Sequence, residues 1–228
     1  MQKIDVKKKF EYHCEIGVNE ICPFSKRKCL KLSKVDIGIC AFYHNNEQQI
    51  ICPNYFLKYN VLEQISSRLL NTEKYKIIQE MKINNNFMDY VLVDNNNVLN
   101  YCGVEFQALD TTGNYKWLYG EKVKPFCINW KTTMKTIVPQ LFIKGSIFKS
   151  HNKKLVLVVQ NSFFSYLKIS NLRNTLDGDI IICSLKNGNL NFYSIFLGDL
   201  FSIFDANNID LDEIIRKNLQ NLNVINRK

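Results

Sequence analysis

The spacing of apolar residues along the first half of the chain predicts a helix followed by a β-hairpin. Apolar residues recur close to the helical period over residues 61–83, with Asn71 as a candidate break in this helix. Residues 87–93 and 98–109 have the composition of strands, and the sequence DNNN between them is a turn signal. We therefore expect these two segments to pair as an antiparallel hairpin.

The second half of the chain also combines helical and extended patterns. An apolar stripe at helical spacing begins at Trp130, and Pro139 is expected to kink or restart the helix that carries it. The members of the stripe are Trp130, Met134, Ile137 and Leu141. Residues 155–161 form the continuous apolar run of a buried strand, whereas residues 211–222 have a helical pattern.

A second hairpin is predicted between these two segments. Residues 179–185 and 189–198 are both strand-like, and they are joined through Asn187 and Gly188. This dipeptide adopts the left-handed conformation that a two-residue turn requires, so a tight hairpin is expected here.

Length and composition indicate a folded protein with a polyanionic partner. The chain has 228 residues, of which 46% are hydrophobic, so it can bury one compact core and a small accessory unit. No apolar run approaches the ~20 residues of a membrane span, and the first residues lack the apolar stretch of a signal peptide, which predicts a cytoplasmic protein without a membrane segment. The net charge of +9 favours nucleic acid as a partner, although proteins that bind none also carry such charges.

The cysteines predict a metal-binding module at residues 1–60. There are eight cysteines, and without an export signal they are expected to remain reduced thiols. Five of them precede residue 53, namely Cys14, Cys22, Cys29, Cys40 and Cys52. Four thiolates satisfy a tetrahedral zinc or ferrous ion and can fold a segment that is too small for its own core. Spacing alone leaves five candidates for four positions, and buried apolar cysteines are the alternative.

The first hairpin brings carboxylates together. The period of a strand places Glu105 and Gln107 on one face, and a turn centred near Asn97 places Asp89 opposite Glu105. Two ionised carboxylates repel each other in a half-buried sheet unless a cation lies between them, and a hard ion such as magnesium fits oxygen ligands. The alternative is an exposed hairpin face on which the two carboxylates are solvated and unrelated.

Lysines on the predicted helix at Trp130 are candidates for DNA contacts. Lys131 and Lys135 share a face beside the apolar stripe, where they either meet phosphates or form a solvated row of charges. The three histidines are scattered and form no metalloprotease or triad arrangement.

The combination of these motifs resembles a known family of nucleases. The motifs CPF, CxK, GxC and CPN occur in that order and are followed by FxDYxL and VExQxxDxxGxY. This series, from Cys22 to Tyr115, is similar to that of the restriction endonuclease NotI and its relatives in the PD-(D/E)XK superfamily, with a fainter similarity through Lys144. Tyr55 departs from the pattern, since the family has arginine after CPN.

The resemblance implies a role for each motif. The cysteines that it selects as ligands of an iron or zinc ion are Cys22, Cys29, Cys40 and Cys52, and it leaves Cys14 out. It makes Asp89 and Glu105 the magnesium ligands and places Gln107 where the superfamily has lysine. Glu63 or Glu80, both on the predicted helix, is an open candidate for completing the site. The DNA-binding residues are then Lys131, Lys135 and Lys144.

The resemblance also implies a fold and a function. The fold is an α/β PD-(D/E)XK core at residues 61–228, with a mixed sheet flanked by helices, preceded by the four-cysteine module at residues 1–60. The function is that of a type II restriction endonuclease that cuts double-stranded DNA at a specific site with magnesium, acts as a homodimer and has a DNA methyltransferase as its genetic partner. The alternatives are a PD-(D/E)XK nuclease of repair or structure-specific cleavage and a non-catalytic, metal-stabilised DNA-binding protein.

Overall fold

A computed structural model describes most of the chain between residues 12 and 203. The described residues are 12–14, 21–27, 38–44, 47–83, 85–109, 111–112, 127–128, 130–167, 169 and 171–203. The predicted helix at residues 211–222 lies outside them.

Eleven strands and three helices make up the described part of the chain. The strands are β1 (Tyr12–Cys14), β2 (Gly38–His44), β3 (Glu47–Ile50), β4 (Tyr75–Ile83), β5 (Asn86–Asp94), β6 (Tyr101–Gln107), β7 (Thr111–Thr112), β8 (Cys127–Ile128), β9 (Lys154–Gln160), β10 (Ile180–Lys186) and β11 (Asn189–Ile195). The helices are α1 (Val61–Ile65), α2 (Trp130–Ser150) and α3 (Asn161–Leu167). Further helical segments are the 3-10 helices Pro53–Tyr59 and Leu197–Ile203 and the π-helical turn Ser66–Leu70, which continues α1.

The central element is a six-stranded mixed sheet in the order β11-β10-β9-β6-β5-β4. Strand β9 runs parallel to both of its neighbours, β6 and β10, and the other pairs are antiparallel. A three-stranded antiparallel sheet, β1-β2-β3, and the two-stranded pair β7-β8 accompany it. The predicted α/β class with a mixed sheet and helices is therefore confirmed, while its assignment to the PD-(D/E)XK core stays a prediction.

Two apolar layers cover the two faces of this sheet. On one face, Tyr55, Phe56 and Ile65 are fully buried against the side chains of β5, β6, β9 and β10. On the other face, α2 and α3 contribute a second cluster that includes Leu141 and Phe163. The continuous apolar run of β9 is explained by this arrangement, because a central strand that is covered on both faces has no exposed side.

The N-terminal segment is joined to the sheet by a buried polar network. The Gln160 side-chain amide donates to Gln49 Oε1 at 2.8 Å and to Ser162 Oγ at 2.9 Å, and Ser162 Oγ donates to Gln49 Oε1 at 2.9 Å. The Ile50 backbone N–H donates to Gln160 Oε1. A hydrogen-bonded network of this kind fixes one position of β3 against β9. The functional division of the chain at residue 60 stays a prediction.

Both predicted hairpins are present. Strands β5 and β6 pair antiparallel around the DNNN turn, and β10 pairs with β11 from Ile180↔Ile195 to Lys186↔Asn189. Asn187 and Gly188 have φ values of 52° and 84°, the left-handed conformation expected for a two-residue turn.

The predicted helix at residues 61–83 is wrong beyond residue 70. The helical segment ends at Leu70, where Asn71 takes a left-handed φ of 53°, and residues 75–83 form strand β4. Apolar residues in adjacent pairs fit either period, and here the segment pairs with β5 from Tyr75↔Asp94 to Ile83↔Asn86, which provides hydrogen bonds for the inner side of this edge strand. Ile77 and Ile78 are consequently 45% and 42% exposed on the sheet edge, and Glu80 lies on a strand and not on a helix.

Helix α2 is longer than its apolar stripe predicts. It runs without interruption from Trp130 to Ser150, so the predicted restart at Pro139 does not occur. In the part of the chain that the structure describes, no helix is both long enough and apolar enough to cross a membrane.

Candidate active site

The hairpin of β5 and β6 brings Asp89 and Glu105 together. Tyr90 pairs with Val104, and the same antiparallel register carried one residue further places Asp89 opposite Glu105. The Phe106 backbone N–H donates to Asp89 Oδ2 at 2.8 Å, and the Asp89 backbone N–H donates to Glu105 Oε1 at 3.3 Å. Each carboxylate is thus held by the backbone of the other strand, as the turn position predicts.

A lysine of helix α2 contacts this pair. Lys144 Nζ lies 2.7 Å from Glu105 Oε1, and the two side chains are only 7% and 12% exposed. The other ion pairs between described residues are considerably more exposed, as for Lys149 and Asp179 at 51% and 16%. The carboxylate pair therefore lies in the buried layer between the sheet and α2.

Burial controls the protonation of the two carboxylates. Burial raises the pKa of Glu105 to about 7, the charge of Asp89 adds to this increase, and the hydrogen bond and charge of Lys144 oppose it. Burial also raises the pKa of Asp89, against the backbone N–H of Phe106 and the charge of Lys144. Two buried carboxylates and one ammonium leave one uncompensated negative charge when both acids are ionised, so the site favours an additional cation.

This excess charge predicts that Glu105→Gln stabilises the metal-free protein at high pH. Because the pKa in the folded state exceeds the value of about 4.5 for an unperturbed glutamate, ionisation of Glu105 costs stability as pH rises from 4.5 through 7. Glutamine resembles the protonated acid, so we expect a gain of about 3 kcal/mol at pH 8 that is almost entirely lost near pH 4.5. Urea unfolding in a chelator, measured at both pH values, checks this.

Glu73→Gln provides the control for that experiment, since Glu73 is exposed between α1 and β4. It is expected to change stability by the same small amount at both pH values. A Glu105→Gln effect that is independent of pH would contradict the assignment of a buried, raised pKa to Glu105.

Gln107 lies two residues beyond Glu105 and is partly buried. Its side-chain amide donates to the Ala108 carbonyl at 2.6 Å, close to its own backbone. An amide can donate and accept hydrogen bonds but carries no charge. Gln107, the last residue of the motif Glu105-Phe106-Gln107 (E-x-Q), therefore contributes no cation.

The two open glutamates occupy different places. Glu80 lies on β4 between Gln79 and Met81, which pair with Tyr90 and Met88 on either side of Asp89. The φ of Glu80 is 52°, a left-handed value that is rare for glutamate. The Glu80 carboxylate forms an ion pair with Arg27 at 3.0 Å, and both groups are at least half exposed. Glu63 is exposed on α1. Glu80 is therefore the candidate that lies next to the carboxylate pair, and its charge contributes to raising the pKa of Asp89.

Cys14 lies on β1, and three further cysteines of the N-terminal segment are buried beside the sheet. Cys22, Cys40 and Cys52 are 3%, 4% and 6% exposed. The Cys52 backbone N–H donates to the Cys40 carbonyl at 3.0 Å, which places these two residues on adjacent backbone. The Ser25 backbone N–H points to Cys22 Sγ at 3.5 Å. Cys29 lies outside the described residues, and within them no cluster of three or more potential ligands is placed to hold a metal ion.

The turn that carries Cys22 approaches the hairpin from the face opposite α2. The ring of Phe24 packs edge-on against Tyr55 at 5.1 Å between centroids. Burial and the charge of Asp89 raise the pKa of Tyr90, next to Asp89, to about 12; Glu80 and Cys22 add smaller increases, and the charge of Arg27 opposes them. The N-terminal segment and the carboxylate pair are therefore neighbours across strand β5.

A comparison with protein families identifies the chain. The protein-family model described as Restriction endonuclease NotI matches residues 10–189 of this 228-residue chain. The chain belongs to the NotI restriction endonuclease family. No curated protein and no solved structure matches it at the threshold applied to either comparison.

Membership of the NotI family gives the general activity. Restriction endonucleases bind DNA and cut it internally, and they generally use magnesium. The carboxylate pair fits such an ion, because carboxylate oxygens are its preferred ligands. Among the described residues, the hydrogen bonds of the pair involve Asp89 Oδ2 and Glu105 Oε1, which leaves one oxygen on each carboxylate for a ligand.

The lysines expected to contact DNA occupy unlike environments in this NotI-family chain. Lys135 is exposed on α2, and the side chain of Lys131 lies outside the described residues. Lys144 is 6% exposed within the carboxylate site. DNA contacts by all three stay predictions.

The ion pair of Lys144 is the feature of the site that sequence analysis missed. The signal for it is present, because the apolar stripe of α2 continues after Ile137 and Leu141 through position 144 to Phe148. A lysine at a core position of an amphipathic helix indicates a buried partner of opposite charge. The partner itself cannot be read from helical spacing.

Proposed function

We propose that this NotI-family chain is a magnesium-dependent type II restriction endonuclease that cuts double-stranded DNA at a specific sequence. The observation that carries the proposal is the buried, cross-strand pair of Asp89 and Glu105 with an excess of negative charge. Such a pair is costly for a fold that gains nothing from it, and it is suited to a divalent cation.

In this proposal Asp89 and Glu105 hold the magnesium ion. The backbone N–H groups of Phe106 and Asp89 keep the carboxylates in fixed positions, so little rearrangement is needed when the ion binds. Gln107 turns its amide from the Ala108 carbonyl towards a phosphate oxygen or the attacking water, where it acts as a hydrogen-bonding group.

The reaction is the hydrolysis of a phosphodiester bond. The oxygen of water forms a bond to phosphorus, one ester P–O bond breaks, the water loses a proton to solvent, and the leaving oxygen gains one. Bound magnesium supplies Lewis-acid activation of the phosphate and of water. Asp89 and Glu105 would hold that ion, and Lys144 of α2 lies against Glu105 beside it.

Specific cleavage implies further partners. A symmetric recognition sequence is matched by a symmetric protein, so we propose a homodimer. A DNA methyltransferase that protects the host sequence is the expected genetic partner. Lys131 and Lys135 on α2, together with Lys144, are proposed to contact DNA phosphates, consistent with the net charge of +9.

The N-terminal segment is proposed to bind one iron or zinc ion through four thiolates. The proposed ligands are Cys22, Cys29, Cys40 and Cys52. The burial of the three described ligands and the N–H group directed at Cys22 Sγ support thiolate ligation, because such N–H groups stabilise a negative sulfur.

Digestion of a plasmid of known sequence with magnesium tests the proposal. Discrete fragments with ends that map to one short sequence are expected. A smear or ladder would instead indicate a nuclease of repair or structure-specific cleavage. Tight DNA binding without cleavage under any divalent ion would indicate a non-catalytic DNA-binding protein, and both outcomes would overturn the proposal.

A further inference from the structure

Lys144 occupies a position on α2 at which an apolar residue is expected. Ile137, Leu141 and Phe148 share the face of the helix that packs on the sheet, at intervals of four and seven residues. Lys144 falls on this same face and is 6% exposed. The surroundings of its side chain are thus those of the core, apart from the carboxylates.

Stability does not account for a lysine at this position. Removing an ammonium and a carboxylate from water costs several kcal/mol for each ion, and apolar side chains of similar volume usually stabilise a core as well or better than a buried ion pair. A function of the ammonium beside Asp89 and Glu105 would explain why a lysine is buried here despite this cost.

The E-x-Q motif lacks a cation that Lys144 can provide. Gln107 is neutral and its amide is directed at the Ala108 carbonyl. Among the described residues, Lys144 is the cation in contact with the carboxylate pair, through Glu105 Oε1 at 2.7 Å. An ammonium has three N–H donors, and this contact uses one of them, so donors remain for a phosphate oxygen or a water molecule beside the pair.

We infer that Lys144, reaching across from helix α2, is the active-site cation of this enzyme and replaces the lysine that Gln107 displaces from the strand motif. This inference rests on the proposed function of the Asp89 and Glu105 pair. Without substrate, the ammonium of Lys144 partly neutralises the carboxylates. With DNA bound, it donates hydrogen bonds to the phosphate group on which negative charge develops during cleavage.

The test compares Lys144→Met with Lys149→Met, a lysine five residues further along α2 that pairs with Asp179 on the surface. Single-turnover cleavage is measured with saturating DNA and magnesium. Lys144→Met is expected to cleave about 100-fold more slowly or worse, as on loss of one transition-state donor. Lys149→Met is expected to remain within about two-fold of the wild type, because an exposed ion pair contributes little.

Two further measurements distinguish a functional cation from a structural one. The double variant Gln107→Lys, Lys144→Met should cleave about ten-fold faster than Lys144→Met alone, or more, since a lysine then returns to the strand motif. Titration with manganese ions in the absence of DNA should show tighter binding to Lys144→Met, because a competing positive charge has been removed. Thermal unfolding of the metal-free proteins verifies the fold of each variant. If Lys144→Met does not fold, the same measurements are made on Lys144→Gln.

The outcomes separate this inference from the function on which it rests. If the wild type cleaves DNA and Lys144→Met cleaves it equally fast, the role inferred for Lys144 is overturned and the proposed function is not. A slow variant that Gln107→Lys does not rescue, and whose manganese affinity is unchanged, reduces Lys144 to a structural residue and also overturns it. A wild-type protein that does not cleave DNA overturns the proposed function, and the manganese titration still decides whether Lys144 opposes a cation at the pair.

Discussion

Asp89→Asn is expected to lower the rate of DNA cleavage by about a thousand-fold or more, because it removes one of the two charges that we propose to hold the magnesium ion. Asparagine keeps an oxygen that can accept the hydrogen bond from the Phe106 backbone N–H, so the strand pairing should persist. Glu105→Gln is expected to have a similar effect. We prefer glutamine to alanine there, since its oxygen remains an acceptor for the buried Lys144 ammonium.

Binding and cleavage should separate in these variants. DNA affinity in calcium is expected to remain close to that of the wild type, whereas cleavage under saturating magnesium is lost. Asp94→Asn is the matched control, because Asp94 lies on the same strand but accepts hydrogen bonds from the turn residues Asn96 and Asn100. Cleavage by Asp89→Asn at a rate near that of Asp94→Asn would show that the carboxylate pair is not the active site.

The second large effect is expected at the cysteines. Purified protein should contain one iron or zinc ion per chain, and Cys22→Ser should lose it together with much of the stability of the N-terminal segment. Structural zinc sites contribute about 10 kcal/mol or more to the folding of small zinc-binding peptides, so loss of one ligand has a large consequence. Elemental analysis and thermal unfolding measure the two effects.

Controls distinguish a ligand from a buried thiol. Cys14→Ser should retain the ion, because Cys14 is not among the proposed ligands. Cys102→Ala should retain it as well while lowering stability moderately, since Cys102 is 1% exposed in the core beside Val104. Protein that contains no metal, or a Cys22→Ser variant with full metal content, would leave the four cysteines as ordinary buried residues.

The ion pair of Arg27 with Glu80 connects the cysteine segment with the strand pair that carries Asp89, so the Cys22→Ser variant can also affect the carboxylate site. Arg27 lies in the turn that begins at Cys22, and its partner Glu80 lies on β4, the strand that pairs with the Asp89 strand β5. Disruption of the cysteine segment is therefore expected to alter the charges beside Asp89 as well as the fold of the segment itself. For this reason DNA affinity and metal content have to be measured on the same Cys22→Ser sample.

Local pattern was sufficient to predict the pairing of Asp89 with Glu105. Strand alternation determines which side chains share a face, and the position of the DNNN turn determines which residues stand opposite each other. Both properties are encoded within a short stretch of sequence. The hairpin of β10 and β11 follows in the same way from Asn187 and Gly188. The resemblance to the family then implied roles for these residues, and those roles stay predictions.

Tertiary packing decided the remainder. Residues 75–83 carry an apolar pattern that suits a helix, but they become an edge strand because β5 offers backbone partners along nearly all of the segment. Lys144 lies on a core face of α2 in any amphipathic reading, yet its contact with Glu105 depends on where that helix crosses the sheet. Helical spacing describes one element at a time, whereas the charge, burial and cation of this site arise from three elements that are distant in sequence and meet only in the folded protein.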